Sequence, residues 1–347
     1  MKKQITIKDL ALRLNISVST VSRALRNAAD VNPKTKEKVQ MLADELDYEP
    51  NALAKSLVQK RTHIIGIIVP KLDMQFFASA IRGVQEEAYN RGYNVLIAQS
   101  NENYELEVDN LQSMVTSRLD GLIVSLSRKT KDFSHFDKVI RRSIPLVLFD
   151  RATKNVDSSK VLADDIEGAY AATEHLIEQG YKRIAHIAGP KNLEITQRRL
   201  KGFYDAMRTN NMEIENDYII HCNLTNEDAN LKARRLMSLP KPPDAIFAVN
   251  DPVAIELMKV IKEIGLNMPF HVGVVGFNNE PISELLTPKL TSVNIPSQKM
   301  GHNAAQILID QIEDDNIRII TETLPCELII RESSNRRAFM RNNKISV

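Results

Sequence analysis

The sequence contains no tryptophan, only two cysteines and no apolar run that approaches the length of a membrane span. Cys222 and Cys326 stand far apart, so they provide neither a disulfide framework nor the close-spaced ligands of a cysteine-based zinc site. Scarce cysteine is typical of a reducing compartment. The apolar stretch 64–70 is much shorter than the roughly 20 residues that a membrane helix needs. We therefore exclude a disulfide-rich secreted scaffold and expect no membrane partner.

The composition is otherwise that of an ordinary globular protein, with 43% hydrophobic and 26% charged residues. At 347 residues the chain is long enough for two or three domains, each with its own core. The basic start, Met-Lys-Lys-Gln, is not followed by the apolar segment of a secretory signal, so we expect a cytoplasmic protein.

The small net charge of +2 hides an uneven distribution. Residues 1–60 contain 11 Lys and Arg against 7 Asp and Glu, whereas the remaining residues contain 35 against 37. Within residues 1–40 the counts are 9 against 3. A basic end on a nearly neutral body indicates a polyanionic partner for that end, with a solvated charged surface as the alternative.

Three short helices are predicted in the first 47 residues. Thr6 caps the first, and an apolar stripe at helical spacing follows: Ile7, Leu10, Ala11 and Leu14. Ser17 begins the second helix, and Asn32 followed by Pro33 begins the third. A tight turn joins the first two helices. Together these features predict a helix-turn-helix unit.

The second predicted helix has an outer face that suits the major groove of DNA. Its small residues allow a close backbone approach, Val18 can touch a thymine methyl group, and Arg23 can hydrogen-bond guanine O6 and N7. Lys34, at the start of the third helix, suits a phosphate contact. The predicted DNA contacts here are Thr6, Ser17, Val18, Ser19, Thr20, Ser22, Arg23, Lys34, Thr35 and Lys36. A helical domain that docks another protein is the alternative.

Four segments closely resemble the headpiece of the lactose-repressor/galactose-repressor family of transcription regulators. They are Ile5-Thr-Ile-Lys-Asp-Leu-Ala, Val18-Ser-Thr-Val-Ser-Arg, Val31-Asn-Pro-Lys-Thr-Lys-Glu-Lys-Val and Leu46-Asp-Tyr-Glu-Pro-Asn-Ala-Leu-Ala-Lys-Ser-Leu. The resemblance continues through nearly the whole chain. It implies a homodimer on a two-fold symmetric double-stranded DNA operator, associated with the nucleoid when bound. It also implies a small-molecule effector, for which a carbohydrate is the first expectation.

Within the linker of residues 48–60, residues 50–57 can form about two helical turns, and a helix this short is marginal in water. In the family that the chain resembles, two such hinge helices pair in the minor groove, and a leucine matching Leu57 wedges between base pairs. Asn51 and Ala54 match the family positions at that contact. We expect this segment to fold on DNA, with a flexible interdomain linker as the alternative.

From residue 64 onward, buried strand patterns alternate with amphipathic helices in two successive series. This alternation predicts parallel sheets covered by helices on both faces, arranged as two lobes with a ligand cleft at the carboxyl ends of the strands. The predicted fold is thus an all-α headpiece followed by a two-lobed α/β core, which the resemblance identifies as periplasmic-binding-protein-like. The predicted parts are a headpiece (1–47), a hinge (48–60) and a core (61–347). One lobe spans about 61–162 and 294–322, the other about 163–293 and 323–340.

Polar residues at the predicted strand ends are candidates for effector binding: Ser125, Asp150, Arg151, Asn250 and Asn278. Phe76, just after the first strand, can stack on the apolar face of a sugar. Each polar residue taken alone can instead be a helix N-cap, and this is our expectation for Asp251, which precedes Pro252.

The resemblance adds Arg199 and supports Asp150 and Asn250, because these match positions that contact effectors in several sugar-responsive members. Leu224 and Asn278 stand where the lactose repressor has an aromatic residue and an aspartate. An asparagine cannot supply the charge-assisted hydrogen bond of a carboxylate. The resemblance therefore specifies no particular sugar.

No sequence pattern of a hydrolase, zinc protease, P-loop or dinucleotide-binding site is present, so we expect no catalytic residues, no metal and no cofactor. A solute-binding protein shares the two-lobed architecture but has no use for residues 1–60. Residues 333–347 lack heptad leucines, so we expect a dimer without a tetramerising coil. The resemblance implies a repressor whose operator affinity a small molecule changes allosterically, and the frequency of mechanisms in the family favours induction by the ligand. Dependence on a corepressor or a partner protein is the alternative, and activation of transcription stays open because it depends on operator placement.

Overall fold

A computed structural model describes residues 5–48, 61–314 and 318–343 of the chain. It divides the chain into an amino-terminal unit and a larger core, with the boundary between His63 and Ile64. In the described part of the chain, no helix combines the length and the apolar character required to cross a bilayer.

The amino-terminal unit contains the three predicted helices, α1 (Ile7–Leu14), α2 (Val18–Leu25) and α3 (Pro33–Glu45). Their starts follow from local hydrogen bonds. The Asp9 carboxylate accepts from the Thr6 N–H at 2.8 Å, Ser17 Oγ accepts from the Thr20 N–H at 3.0 Å, and Asn32 Oδ1 accepts from the Lys34 N–H at 2.9 Å. One fully buried side chain from each helix meets at the centre: Leu10, Val21 and Val39.

The first lobe of the core contains β1 (Ile64–Val69), β2 (Asn94–Gln99), β3 (Gly121–Val124), β4 (Leu146–Phe149), β5 (Ser159–Ala163) and β11 (Thr321–Leu324). They form a parallel sheet in the order β2-β1-β3-β4-β5-β11. Its helices are α4 (Gln75–Asn90), α5 (Tyr104–Thr116), α6 (Asp137–Arg141) and α11 (Ser297–Glu313). Every residue of β3 and β4 is buried, as helices on both faces of a parallel sheet require.

The second lobe contains β6 (Ile184–Ala188), β7 (Ile219–His221), β8 (Ala245–Ala248), β9 (Gly273–Asn278), β10 (Thr291–Asn294) and β12 (Glu327–Ile329). Their order is β7-β6-β8-β9-β10-β12, and only β12 runs antiparallel to its neighbour. Its helices are α7 (Asp165–Glu178), α8 (Glu194–Thr209), α9 (Asn226–Met237), α10 (Asp251–Glu263) and α12 (Arg336–Asn343). The predicted pair of α/β lobes is thereby confirmed.

The two lobes repeat one plan, and the chain passes between their sheets after β5, after β10 and after β11. Each lobe also has one closely packed helix pair. In the first, a Cβ at Gly83 of α4 or at Gly301 of α11 would overlap the backbone of the opposite helix. In the second, Gly202 of α8 lies equally close to the Ile166 carbonyl of α7. Glycine is needed at these positions because the helix backbones approach so closely.

Candidate functional site

The outer face of α2 carries the side chains predicted to read DNA. Val18 is 41% exposed, Ser19 and Arg23 are exposed, and Ser22 is half-buried, while Val21 faces the core. An exposed valine beside small hydroxyl residues forms a surface that the backbone of another molecule can approach closely. This face therefore has the exposure predicted for a helix that enters the major groove, and its contacts with DNA stay a prediction.

Hydrogen bonds within the unit hold several of the predicted contact residues. Ser17 Oγ lies 2.7 Å from Ser19 Oγ and 2.8 Å from Thr20 Oγ1, so these hydroxyl groups form one cluster at the start of α2. The Thr6 hydroxyl donates to Asp9 at 2.7 Å. Because these groups already serve the helix caps, each hydroxyl can contact DNA only through a lone pair or a proton that its hydrogen bonds within the unit leave unused.

Two charged residues on this face were missed from the sequence. Asp30 forms an ion pair with Arg23, and Arg26 donates to the Ser22 carbonyl and hydroxyl oxygens at 3.2 Å each. The helical spacing of Arg26 from Ser22 could have indicated that contact. Asp30 lies beyond the end of α2, so no periodicity relates it to Arg23.

The start of α3 presents the predicted phosphate contacts. Lys34 is exposed, Thr35 is half-buried, and the Lys36 ammonium group donates to the Asn27 carbonyl at 3.3 Å. Asn51, Ala54 and Leu57, the predicted minor-groove contacts, lie outside the described residues.

In the core, seven of the eight predicted effector residues line one cavity between the lobes, which we call the cleft cavity. They are Phe76, Asp150, Arg151, Arg199, Leu224, Asn250 and Asn278. Phe76 lies in the first turn of α4. Ser125 is not in this lining. It is fully buried at the end of β3, and its Oγ has no hydrogen-bond partner among the described residues.

The backbone at the strand ends aims these side chains into the cleft. Asp150, Leu224 and Asn278 all have positive φ, at 57°, 64° and 102°. Such conformations cost on the order of 1–3 kcal/mol each for residues other than glycine, and they concentrate at functional sites. The cleft cavity is therefore lined by strained backbone in both lobes.

Asp150 is a buried carboxylate that accepts no hydrogen bond within the described part of the chain, and its side chain borders the cavity. Burial raises the pKa of Asp150 to about 6, although the positive charges of Arg151 and Arg199 act in the opposite direction. A carboxylate in this state is ready to accept hydrogen bonds from the hydroxyl groups of a ligand.

The two cavity arginines are held by carboxylates that the sequence did not indicate. Arg199 Nε donates to Asp165 Oδ1 at 2.9 Å, its Nη1 donates to the Val249 carbonyl at 2.6 Å, and its guanidinium group lies 3.7 Å from the centre of the Phe277 ring. Arg151 Nη1 lies 2.8 Å from both carboxylate oxygens of Glu102. Both arginines are thus fixed before any ligand arrives.

The expectation that Asp251 caps a helix was wrong. Asn250 is the N-cap of α10, and its Oδ1 accepts from the Val253 N–H at 3.1 Å. Asp251 is instead buried in the first turn, where it accepts three hydrogen bonds at 2.6–3.0 Å, from the Glu280 N–H, Ser283 Oγ and Ser292 Oγ. Burial raises the pKa of Asp251 to about 6, although these hydrogen bonds lower it. Asp251 therefore supports the end of β9 from behind the cavity.

The cleft cavity has a volume of about 30 Å³. Ligand sites usually have volumes of about 300–1,000 Å³. Direct contacts also bridge the lobes. Arg128 Nη1 donates to the Asn223 carbonyl at 2.7 Å, and Asn192 Nδ2 donates to the Arg128 carbonyl at 2.8 Å. A ligand of the size of a sugar would therefore require the lobes or the lining side chains to move apart.

The described residues contain no group of three or more His, Cys, Asp or Glu side chains that could hold a metal ion. The chemistry of the cleft is that of hydrogen bonding. Carboxylate, guanidinium and amide groups surround a space whose remaining lining is apolar except for Thr196. This combination suits a small molecule with several hydroxyl groups.

Two family descriptions match the chain. Residues 6–51 match "Bacterial regulatory proteins, lacI family", and residues 173–334 match "Periplasmic binding protein-like domain". The HTH-type transcriptional repressor PurR of Vibrio vulnificus (strain CMCP6) is 32% identical over 330 residues, which cover 94% of this chain and 98% of the relative.

Solved structures show the same architecture. A transcriptional regulator CelR–cellobiose complex has a TM-score of 0.74 at 27% identity, and the match covers 95% of this chain and 100% of that one. The lac repressor dimer bound to operator and the anti-inducer ONPF has a TM-score of 0.84 at 23% identity, with coverage of 96% and 99%. The similarity to the lac repressor concerns the fold alone.

Proposed function

The chain belongs to the lacI family of bacterial regulatory proteins, and from this membership we propose that it binds a two-fold symmetric operator as a homodimer. It is a DNA-binding transcriptional repressor that responds to a small molecule, and not an enzyme. A dimer is required because a symmetric operator presents two equivalent half-sites to two headpieces. We place the protein in the cytoplasm, at the nucleoid when it is bound to DNA.

The exposed face of α2 is the observation that carries the proposed DNA readout. Val18, Ser19 and Arg23 enter the major groove, where Arg23 hydrogen-bonds a guanine. Lys34, Thr35 and Lys36 hold the headpiece to the phosphates. Further contacts come from Thr6, Ser17, Thr20 and Ser22.

We extend this proposal to residues 48–60, between a headpiece of residues 1–47 and a core of residues 61–347. In this proposal, Asn51, Ala54 and Leu57 contact the minor groove, and Leu57 is the wedge between base pairs. Ordering this segment costs conformational entropy, which DNA contacts offset only when the two headpieces are correctly spaced. The hinge therefore makes operator affinity sensitive to the spacing that the core imposes.

The effector binds in the cleft cavity, and a sugar or sugar derivative fits its chemistry best. Asp150, Arg199, Asn250 and Asn278 supply hydrogen bonds to hydroxyl groups, and Phe76 packs on an apolar sugar face. The similar CelR structure holds cellobiose. Because both lobes contribute to the lining, occupancy changes the angle between them. Coupling of about 1–3 kcal/mol between cleft and headpiece is typical of allosteric proteins.

A corepressor that tightens operator binding is the second candidate. A corepressor acts by tightening the operator binding of a repressor, and the relative PurR is named a repressor. In addition, the contacts that Arg128 and Asn192 make between the lobes favour a closed cleft. The two candidates differ in sign, because an inducer lowers operator affinity and a corepressor raises it.

The test combines two measurements on the full chain. A thermal-shift screen of sugars, sugar derivatives and nucleobases identifies ligands that stabilise the folded protein. Fluorescence anisotropy with a selected operator duplex then measures affinity with and without each ligand. We expect a ligand-dependent change of at least fivefold that Arg199→Ala abolishes. A ligand that binds without changing operator affinity would contradict the proposed coupling.

A further inference from the structure

A second cavity, ten times larger than the cleft cavity, adjoins it between the lobes. Its volume is about 300 Å³, against about 30 Å³ for the cleft cavity, and the two share Arg151 and Leu193 in their linings. We call it the adjoining cavity. Residues of the loops after β3 and β4 line it from the first lobe, and Asn192, Leu193 and Glu194 line it from the second. A ligand there would contact both lobes.

Three segments that contain or flank the lining of the adjoining cavity are strongly basic. Residues 126–133, 151–155 and 190–194 contain six Lys or Arg and only two Asp or Glu. The core as a whole has 35 Lys and Arg against 37 Asp and Glu, so this excess of positive charge is local. The basic residues are Arg128, Lys129, Lys131, Arg151, Lys154 and Lys191.

Hydrogen bonds engage both acidic residues of these segments. Asp132 accepts from the Ser134 N–H at 3.0 Å and from its hydroxyl at 2.8 Å, and Glu194 accepts from the Lys154 N–H at 2.9 Å. Arg151 is paired with Glu102. With Arg151 offset by Glu102, the excess positive charge resides on Arg128 and on the lysines of these segments.

None of the four lysines, namely Lys129, Lys131, Lys154 and Lys191, forms an ion pair with any residue that the structure describes. All four are exposed, and Lys131 itself lines the cavity. Unpaired positive charges around one opening raise the local concentration of an anionic ligand and speed its entry.

We propose that the effector is an anionic sugar derivative whose phosphate or carboxylate group binds in the adjoining cavity. Lys131 contacts the anion, and Lys154 and Lys191 add to the field at the rim. The hydroxyl groups of the same ligand face Asp150 and Arg199 in the cleft cavity. This orientation follows from charge, because the Asp150 carboxylate would repel an anion placed beside it. The inference rests on the proposed function, and it specifies the class of effector.

The test is calorimetric titration of the full chain with matched pairs of ligands. The pairs are glucose 6-phosphate and glucose, fructose 1-phosphate and fructose, ribose 5-phosphate and ribose, and gluconate and glucose; inorganic phosphate is titrated alone. We expect the anionic member of at least one pair to bind at least tenfold more tightly than its neutral partner. This preference weakens as salt is added, because salt screens the exposed lysines.

Variants locate the anion site. Lys131→Gln lowers the affinity for the anionic ligand about tenfold and leaves that for the neutral sugar unchanged, since a charge-assisted hydrogen bond is lost. Lys131→Gln combined with Lys154→Gln lowers it further. Lys262→Gln is the matched control, because Lys262 is an exposed lysine on α10 outside the lining of either cavity.

Three results would overturn the inference. These are neutral sugars that bind as tightly as their anionic partners, a Lys131→Gln variant with unchanged affinity, and no detectable heat from any anionic ligand including inorganic phosphate. Operator preference is measured separately on random and selected duplexes. A protein that selects an operator but fails these titrations keeps the proposed function and loses the anionic effector.

Discussion

Replacing Asp150 with asparagine should stabilise the core at neutral pH and remove part of the effector site. The carboxylate is 6% exposed and accepts no hydrogen bond from the described residues. Burial raises its pKa to about 6 even though Arg151 and Arg199 lie nearby. Those arginines already have partners in Glu102 and Asp165, so they do not depend on Asp150. A neutral amide of the same shape avoids the desolvation of a charge.

The size of the effect follows from the shift in pKa. The ordinary value is 3.8, the folded value is about 6, and one pKa unit corresponds to roughly 1.4 kcal/mol. Ionised Asp150 therefore costs the folded protein about 3 kcal/mol at neutral pH. Between about pH 4 and pH 6 the folded state holds this proton more tightly than the unfolded state, so stability is lost as pH rises through that window. The asparagine variant does not show this loss.

Urea unfolding followed by far-ultraviolet circular dichroism is the appropriate assay, since the chain has no tryptophan to report fluorescence. Asp150→Asn should raise the free energy of unfolding of the core by about 3 kcal/mol at neutral pH and by close to zero near pH 4. Asp310→Asn is the control, because Asp310 is 57% exposed in its ion pair with Arg91. Such a surface pair contributes at most about 1 kcal/mol.

A destabilised Asp150→Asn variant at neutral pH would refute this reasoning. So would a gain of equal size at both pH values, because titration of Asp150 would then have no part in it. Asp251, whose pKa is also raised to about 6, titrates in both proteins and therefore cancels in the difference.

Three further variants test other parts of the structure. Arg199→Ala should destabilise the core by about 3–5 kcal/mol, because it leaves the buried Asp165 carboxylate with Arg198 as its one ion-pair partner among the described residues. Thermal unfolding measures this loss, and an unchanged midpoint would contradict the prediction. Gly301→Ala should lower the stability of the core much more than Gly121→Ala. The Cβ added at Gly301 meets the Ala80 backbone in α4, whereas the Cβ added at Gly121 meets the flexible side chains of Leu308 and Ile312. Equal midpoints of thermal unfolding would contradict this prediction. Asp30→Asn should raise the affinity for every duplex, because it removes a negative charge, and should weaken the preference for one guanine, because Arg23 loses its ion-pair partner. In an Arg23→Ala background, Asp30→Asn should not alter base preference. Binding to point-substituted duplexes measures both effects, and an altered preference in that background would contradict the prediction.

The headpiece could be predicted closely because its signals are local. Thr6 with Asp9, Ser17, and Asn32 with Pro33 each specify a helix start within a few residues, and the structure contains all three. The two lobes were predicted from alternating strands and helices for the same reason. The order of the strands within each sheet was not predicted, because strands such as β11 and β5 pair across a long stretch of sequence.

The cleft was predictable in its lining but not in its support. Parallel strands of one sheet present their carboxyl ends at a common edge, so Asn250 and Asn278 of the second lobe were expected to lie together. Asp150 was expected opposite them, at the corresponding edge of the first lobe. Glu102 and Asp165 hold the cavity arginines through contacts between distant segments, and no spacing in the sequence reveals such pairs. The adjoining cavity depends on how closely the loops of the two lobes approach, which is equally invisible in the sequence.

The most direct test of the central claim is selection of duplexes from a random pool by the full chain, followed by affinity measurement. We expect a two-fold symmetric motif to be enriched, with specific binding at least a thousandfold tighter than binding to random DNA. Arg23→Ala should relax the requirement at one symmetry-related pair of guanines, at a cost of about 1–3 kcal/mol per contact. Equal affinity for enriched and random duplexes, with and without a cleft ligand, would contradict the account.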